Sequence, residues 1–396
     1  MSRAVGTVVR GVRAPIIRQG DDLAKIIVES VMAASKESNT PFGRKDVVSI
    51  TEAVVARSQG NYASCDDIAE DVKAKFPSGH VGIVFPIMSR NRFAMCLKGI
   101  ARGSKKITVM LSYPCDEVGN HLIDMEKLDE CHINPWTDVL SEESYRQHFG
   151  NTMHTFTGVD YVAYYRSIIE AEGAEAEFVF ANKASEILNY TKDVLCCDIH
   201  TRQRTKKLVK EKGGNVVLGL DDILTTPGKM GGYNKDYGLL GSNKATEETV
   251  KLFPRDCNEF VLRVQKLFEE MAGYHMEVMI YGDGAFKDPV GKIWELADPV
   301  VSPGYTDGLG GLPNEVKLKY LADNDFASLK GEELREAIVK HIKEKDSDLK
   351  GSMASQGTTP RRITDLLGSL SDLTSGSGDK GTPIIWIQNY FDNYAD

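Results

Sequence analysis

Residues 375–387 read Ser-Gly-Ser-Gly-Asp-Lys-Gly-Thr-Pro-Ile-Ile-Trp-Ile, a glycine-rich loop that leads directly into an apolar run. The run 384–387 predicts a buried strand, because it is short, apolar and preceded by a turn signal. Three glycines fall between residues 376 and 381. Glycine tolerates positive φ and has no side chain, so such a loop lets backbone N–H groups approach an anion closely. The stretch therefore predicts either an anion-binding loop or a tight surface turn in front of a core strand.

A second apolar run ends in the same kind of glycine and aspartate cluster. Residues 276–284 read Met-Glu-Val-Met-Ile-Tyr-Gly-Asp-Gly, which predicts a strand followed by Asp283 between two glycines. In α/β sheets, ligands gather beyond the carboxyl ends of strands. A carboxylate at that position suits a hard divalent cation, which takes oxygen ligands. The alternative is an ordinary Asp-Gly turn.

Apolar runs alternate with helical patterns along most of the chain. Runs typical of strands occur at 46–51, 81–85, 106–111, 178–181, 193–197 and 215–220. Helical spacing of apolar residues follows Asp22 and recurs at 164–172, 201–212 and 257–273. This alternation predicts an α/β (mixed α+β) fold in which a mixed sheet is layered with helices. Segments 112–150 and 221–256 are polar, and we expect the first to be irregular or lid-like and the second to form a long functional loop.

Composition and charge are typical of a globular protein and argue against a nucleic-acid-binding or membrane-spanning one. The 396 residues carry a net charge of −9, and 41% of them are hydrophobic and 27% charged, as in ordinary globular proteins. The acidic balance and the absence of a basic stripe argue against nucleic-acid binding. The seven cysteines form no C-x-x-C pair, and no apolar stretch is long enough for a signal peptide or a membrane span. We therefore predict a cytoplasmic protein with reduced thiols and neither a membrane nor a nucleic-acid partner.

Two further positions are candidates for chemistry. Asp160 ends a Gly-Val-Asp segment that follows His154, and Arg57 follows the strand predicted at 46–51. A guanidinium there can bind a phosphate or carboxylate through two parallel hydrogen bonds, although a surface charge is the alternative. The adjacent Asp221 and Asp222 fit either a paired-carboxylate site or a helix cap. The chain contains no P-loop, no dinucleotide-binding G-x-G-x-x-G motif after an early strand, and no zinc-protease or serine-hydrolase motif. Any nucleotide would therefore need another kind of binding loop.

Several segments, taken together and in order, resemble one family. They are the Gly-Asp-Asp-Leu-Ala element at 20–24 with the strand and following residues at 46–60, then 157–160, 280–284 and the loop and strand at 376–387. This arrangement resembles the coenzyme F-420:γ-glutamyl ligases. The terminal loop is the strongest match and the Gly-Val-Asp segment the weakest.

The resemblance implies an amide-forming ligase. GTP, or ATP in its place, would phosphorylate a small-molecule carboxylate, and the amine of L-glutamate would attack the acyl phosphate. Asp160 and Asp283 would hold Mg²⁺ or Mn²⁺, Arg57 and Asp283 would be catalytic, and the enzyme would be a homodimer. The nucleotide would contact Arg57, Gly376, Gly378, Asp379, Lys380 and Gly381.

This chain departs from the family pattern in two places and in length. Arg57 stands where the family has lysine, and Gly284 stands where it has threonine after the metal-binding aspartate. Four segments are expected: an N-terminal ligase-like part at 1–84, an insertion or lid at 85–150, a central metal- and nucleotide-binding part at 151–312 with an insertion near 200–260, and a C-terminal helical block with the glycine-rich loop and strand at 313–396. Two other functions stay open, a metal-dependent phosphohydrolase or phosphotransferase and a catalytically silent nucleotide-binding homologue.

Overall fold

The computed structural model describes residues 4–154, 157–282, 298–355, 361–375 and 379–396. Four positions singled out above lie outside the described residues: Asp283, Gly284, Gly376 and Gly378.

Five strands form the terminal sheet, which unites the two ends of the chain. Their order is β1 (Val8–Val12), β14 (Ile384–Gln388), β2 (Val47–Thr51), β12 (Glu277–Tyr281) and β13 (Gly304–Tyr305). Strands β2 and β12 are parallel, with Thr51 opposite Tyr281, whereas β14 runs antiparallel to β2. The carboxyl ends of β2 and β12 and the amino end of β14 therefore lie at the same edge of the sheet.

Helices cover both faces of the terminal sheet. Helices α1 (Leu23–Glu37) and α9 (Cys257–Ala272) pack on one face, and α12 (Ile363–Thr374) packs on the other. Val48 belongs to the first of these cores and its strand neighbour Val47 to the second, because side chains alternate along a strand. Helix α1 begins where the sequence predicts, since the Asp22 side chain accepts a hydrogen bond from the backbone N–H of Lys25.

The C-terminal strand is held by a buried polar contact as well as by its apolar side chains. Trp386 is fully buried, and its Nε1 donates to Oδ2 of Asp46 at 2.9 Å. Gln388 donates to the same oxygen at 2.9 Å. Burial of such an aromatic side chain stabilises the fold by about 3 kcal/mol. The strand is thus an integral part of the core, as its apolar sequence predicts.

A second, doubly wound sheet has six strands. Their order is β6 (Leu140–Ser141), β7 (Glu175–Phe180), β5 (Lys106–Leu111), β4 (His80–Val84), β8 (Val194–Cys196) and β9 (Val217–Gly219). All neighbouring pairs are parallel except β6 with β7. Helices α3 (Cys65–Lys75), α4 (Phe93–Arg102) and α7 (Tyr161–Ala171) contribute to the core on one face, and α8 (Arg202–Glu211) packs on the other. Strands β4 and β5 are almost continuously apolar because parallel strands are covered on both faces.

A small sheet and five helices complete the description. Strands β10 (Asn243–Lys244), β11 (Thr249–Lys251) and β3 (Tyr62–Ser64) form an antiparallel sheet, and helix α2 (Glu52–Ser58) connects β2 to β3. The other helices are α5 (Met125–Glu130), α6 (Glu142–Phe149), α10 (Leu318–Asp323) and α11 (Gly331–Glu344).

The α/β class and the mixed sheets layered with helices are confirmed. The irregular structure expected at 112–150 is wrong in part, because α5 and α6 lie there. Strands β4 and β5, on either side of residue 84, are direct neighbours in one sheet. The four-segment division stays a prediction. Within the described ranges, the model has no helix that combines the length and the apolar character needed to span a bilayer.

Candidate functional site

A cavity of about 360 Å³, the central cavity, opens at the edge where β2 and β12 end and β14 begins. Thr51 at the end of β2 and Tyr281 at the end of β12 lie in its wall, together with Val54 and Arg57 of α2 and residues 381–383. The parallel pairing of β2 and β12 brings the first two together, and the antiparallel β14 adds the terminal loop. Three of the segments that carried the family resemblance thus meet in one cavity.

Arg57 provides the positive charge of the central cavity. The residue is exposed and lies in the last turn of α2, and among the described residues its guanidinium forms no ion pair. Arg102, which also lies in the last turn of its helix, α4, contacts the carboxylate of Glu172 at 2.8 Å. An unpaired guanidinium at a cavity wall is available for a phosphate or carboxylate of a ligand.

The terminal loop forms the wall opposite α2. The backbone N–H of Thr51 donates to the carbonyl oxygen of Pro383 at 3.0 Å, which fixes the end of the loop against the end of β2. Gly381 has φ +64°, and its α-carbon faces open space. Asp379 and Lys380 are exposed, and Lys380 lines another cavity, between β1 and α1. The structure thus brings Arg57 and Gly381 to one cavity, while their contact with a nucleotide stays a prediction.

Tyr281 is a cavity residue that the sequence did not indicate. Its side chain is 1% exposed, and burial raises the pKa of its phenol well above the usual range. The nearby hydroxyl groups of Ser375 and Thr51 act in the opposite direction. Tyr281 therefore stays protonated at neutral pH and is a hydrogen-bond donor at the end of β12.

A lateral cavity of about 550 Å³ adjoins the central cavity and shares Ala53, Val54 and Arg57 with it. Its remaining wall comes from Tyr62, Met230 and residues of the small sheet, including Lys244 and Lys251. Among the described residues, its charged lining is Arg57, Lys244 and Lys251, of which Lys244 pairs with Glu247 and Lys251 with Glu52. The guanidinium of Arg57 is therefore the group of this lining that favours an anionic ligand.

Two buried ion pairs form a charge quartet behind the wall of the lateral cavity. Lys251 contacts both carboxylate oxygens of Glu52 at 2.8 and 2.7 Å, and Arg92 contacts Oδ1 of Asp298 at 2.7 Å. Burial raises the pKa of Glu52, Lys251 opposes this shift and Asp298 adds to it, so the two pairs interact. The quartet joins the first residue of α2, a strand of the small sheet and the loop before α4.

The quartet lies beside the strand end that the sequence singled out. A Cβ atom on Gly282 would be 2.2 Å from Oδ2 of Asp298, so this carboxylate is packed directly against the backbone after Tyr281. Sequence reasoning missed all four quartet residues, because each is an ordinary charged residue whose partner is remote in the chain. The one local signal was Glu52, which directly follows an apolar strand.

The profile of a protein family described as F420-0:gamma-glutamyl ligase matches residues 11–389, almost the whole chain. The chain belongs to this family. Both cavities and the charge quartet fall within the matched span, and the resemblance drawn from the separate segments is confirmed. Membership supports the formation of γ-glutamyl bonds as the activity. No curated protein matches the sequence.

Asp160 lies elsewhere in this chain. It is the N-cap of α7, where its side chain accepts a hydrogen bond from the N–H of Ala163 at 3.0 Å. Its two oxygens also contact Arg146 at 2.7 and 3.1 Å. The residue does not line the central cavity. Its place in the sequence pattern is therefore explained by capping and an ion pair, and its role as a metal ligand stays a prediction.

The described residues do not fit a divalent cation as they stand. No group of three or more histidine, cysteine, aspartate or glutamate side chains in the described ranges is arranged to hold a metal. Asp160 would have to release Arg146, and Glu52 and Asp298 are committed to their ion pairs. Asp283 lies outside the described residues. Its role as a ligand of the expected Mg²⁺ or Mn²⁺ stays a prediction.

The paired carboxylates at 221 and 222 are structural. Asp222 accepts a hydrogen bond from the N–H of Gly219 at 2.7 Å and so caps a short 3₁₀ turn. Asp221 pairs with Arg202 at 3.0 Å. Of the two interpretations of this dipeptide, the structure supports the cap.

Proposed function

We propose that this protein is a nucleotide-dependent ligase that joins L-glutamate to a substrate carboxylate through an acyl phosphate. The phosphates of GTP would lie at Arg57, which lines both the central and the lateral cavity. The observation that carries the proposal is the guanidinium of Arg57, which lines both cavities and has no ion pair among the described residues.

The reaction requires two transfers. An oxygen of the substrate carboxylate attacks the γ-phosphorus of GTP and GDP leaves, which gives the acyl phosphate. The amine of glutamate then attacks the carbonyl carbon, phosphate leaves and the nitrogen loses a proton. Positioning and neutralisation of phosphate charge dominate the barrier of the first step. Arg57 would neutralise that charge, and Tyr281, which lines the same cavity, would be a neutral hydrogen-bond donor.

The proposal also includes a divalent cation, Mg²⁺ or Mn²⁺, which would neutralise the nucleotide phosphates. The described side chains offer no complete ligand set for it. ATP in place of GTP, a homodimer and a cytoplasmic location are further parts of the proposal.

The test measures phosphate release from GTP with the coenzyme F-420 precursor and L-glutamate added singly and together. A ligase releases phosphate at a substantial rate only when both are present and forms the glutamyl product. Arg57→Gln is expected to lower the rate by about 100-fold, because a preorganised charge on the transferred group is lost. Arg57→Lys is expected to lose less, because it keeps the charge but not the two parallel hydrogen bonds.

Arg44→Gln is the matched control, since Arg44 is also exposed but precedes the amino end of β2, away from the central cavity. It should turn over like the wild type. Phosphate release without glutamate and without product would identify a phosphohydrolase. Nucleotide binding without any turnover would identify a silent homologue. Full activity of Arg57→Gln would remove Arg57 from the site.

A further inference from the structure

A large cavity of about 810 Å³, the β1 cavity, lies between β1, α1 and the terminal loop. Its charged lining consists of Arg10, Arg13, Lys380 and Glu37. Within the part of the chain that the structure describes, none of these four side chains forms an ion pair with another residue. The cavity therefore presents two more positive than negative charges in a protein whose net charge is −9.

Arg10 is held in place although it has no acidic partner. Its Nη1 donates to Oε1 of Gln388 at 2.5 Å, and its guanidinium lies 5.0 Å from the ring centroid of Trp386. Both partners belong to the buried strand β14. A guanidinium fixed in this way loses little conformational freedom when an anion binds.

The β1 cavity adjoins the central cavity through one residue, Thr382, which lines both. A Cβ atom on Gly11 would lie 3.1 Å from Cβ of Thr382, so β1 packs closely against the loop. The N–H of Ala14 also donates to the carbonyl oxygen of Gly381 at 3.3 Å. A ligand in the β1 cavity can thus present a group beside Thr382 to a second ligand in the central cavity.

The charges of glutamate in the proposed reaction match the lining of the β1 cavity. Glutamate reacts through its amine and keeps both of its carboxylates throughout the proposed reaction. It therefore needs cationic partners of its own, separate from those that hold the nucleotide at Arg57. The β1 cavity offers three such partners, and Glu37 complements the positive charge of an unreacted ammonium group.

We propose that the β1 cavity is the binding site for the amino-acid substrate, with its two carboxylates held by Arg10, Arg13 and Lys380. This inference rests on the proposed ligase function and extends it to the recognition of glutamate. It also gives the cavity a selective role, since glutamine carries only one of the two carboxylates.

The test compares wild type, Arg13→Gln and Lys380→Gln, because both side chains are exposed and their loss should not disturb folding. Lys36→Gln is the matched control, an exposed lysine of α1 that does not line the cavity. L-glutamate is titrated by calorimetry in the presence and absence of GTP, and the KM values for glutamate, glutamine and the acyl substrate are measured. Each cavity variant should bind glutamate about tenfold more weakly, the loss expected for one charge-assisted hydrogen bond.

The preference for glutamate over glutamine should fall in the cavity variants by a similar factor and remain in Lys36→Gln. An unchanged KM for glutamate, or a rise confined to GTP or to the acyl substrate, would overturn the assignment. If the wild type binds glutamate but forms no product, and Arg13→Gln abolishes that binding, the site stands while the proposed ligase function fails. If the wild type neither binds glutamate nor forms product, both fail.

Discussion

The Glu52–Lys251 pair is the most consequential contact at the scale of single residues. Both side chains are at least nine-tenths buried, so neither charge is solvated when the other is absent. Lys251→Met is expected to lower the free energy of unfolding by about 3–5 kcal/mol, because it leaves the Glu52 carboxylate buried without its partner. The measurement is urea unfolding at pH 7.

A double variant separates the pair from its surroundings. Glu52→Gln combined with Lys251→Met should be more stable than Lys251→Met alone, because the uncompensated charge is gone. Lys244→Met is the control, since Lys244 lines the same lateral cavity but is exposed. Equal effects of Lys251→Met and Lys244→Met would contradict the importance of the buried pair.

At the scale of elements, the terminal loop depends on the left-handed conformation of Gly381. A Cβ atom there meets no neighbouring atom within 4 Å, so any effect of Gly381→Ala comes from the backbone. We expect a loss of about 1–2 kcal/mol in unfolding free energy and a weaker affinity for the ligand of the central cavity. Thermal unfolding and nucleotide titration measure the two effects.

Gly381→Asn should lose less than the alanine variant, because asparagine tolerates positive φ better. Gly6→Ala is the control, since its Cβ would also meet open space but its φ is not positive. The argument fails if Gly6→Ala is as damaging as Gly381→Ala.

The element scale also explains why some motifs were interpreted correctly and others were not. A glycine-rich loop in front of a strand and an aspartate before a helix are local patterns, so the C-terminal strand and the cap at Asp22 were predictable. Asp160 follows the same local rule and is a cap as well. Local sequence could not distinguish it from a metal ligand, because the competing partner, Arg146, lies on another helix.

At the scale of the whole molecule, two histidines make stability depend on pH. Burial lowers the pKa of His154 and of His80 below the usual value, with nearby cationic groups adding to the effect. The N–H of Thr157 contacts Nδ1 of His154 at 3.1 Å, so this nitrogen accepts and is unprotonated in the fold. The unfolded chain takes up protons at about pH 6.5, before the folded one does.

The unfolded state thus binds more protons at these two histidines, so their contribution to the free energy of unfolding falls as pH decreases below about 6.5. The loss continues until the lowered pKa of the folded histidines is reached. Urea unfolding at pH 7 and pH 5 should show a smaller difference for His154→Gln than for wild type. His148→Gln replaces an exposed histidine and should keep the wild-type difference; an equal reduction in both variants would exclude His154 as the cause.

The sequence alone was sufficient for the α/β class, most of the helices and strands, and the family, because apolar periodicity, caps and glycine turns are local signals. Only the tertiary structure revealed that Arg57, Tyr281 and the loop at 381–383 share the central cavity. It also revealed that Arg10 and Arg13 line the adjacent β1 cavity. The pairing of Glu52 with a lysine 199 positions away was likewise visible only in the structure. Such contacts depend on strand order and direction, which decide which chain ends meet at one edge of a sheet. No pattern in the sequence shows which distant residue a charged side chain will pair with. These ion pairs can therefore be identified only from the assembled sheets.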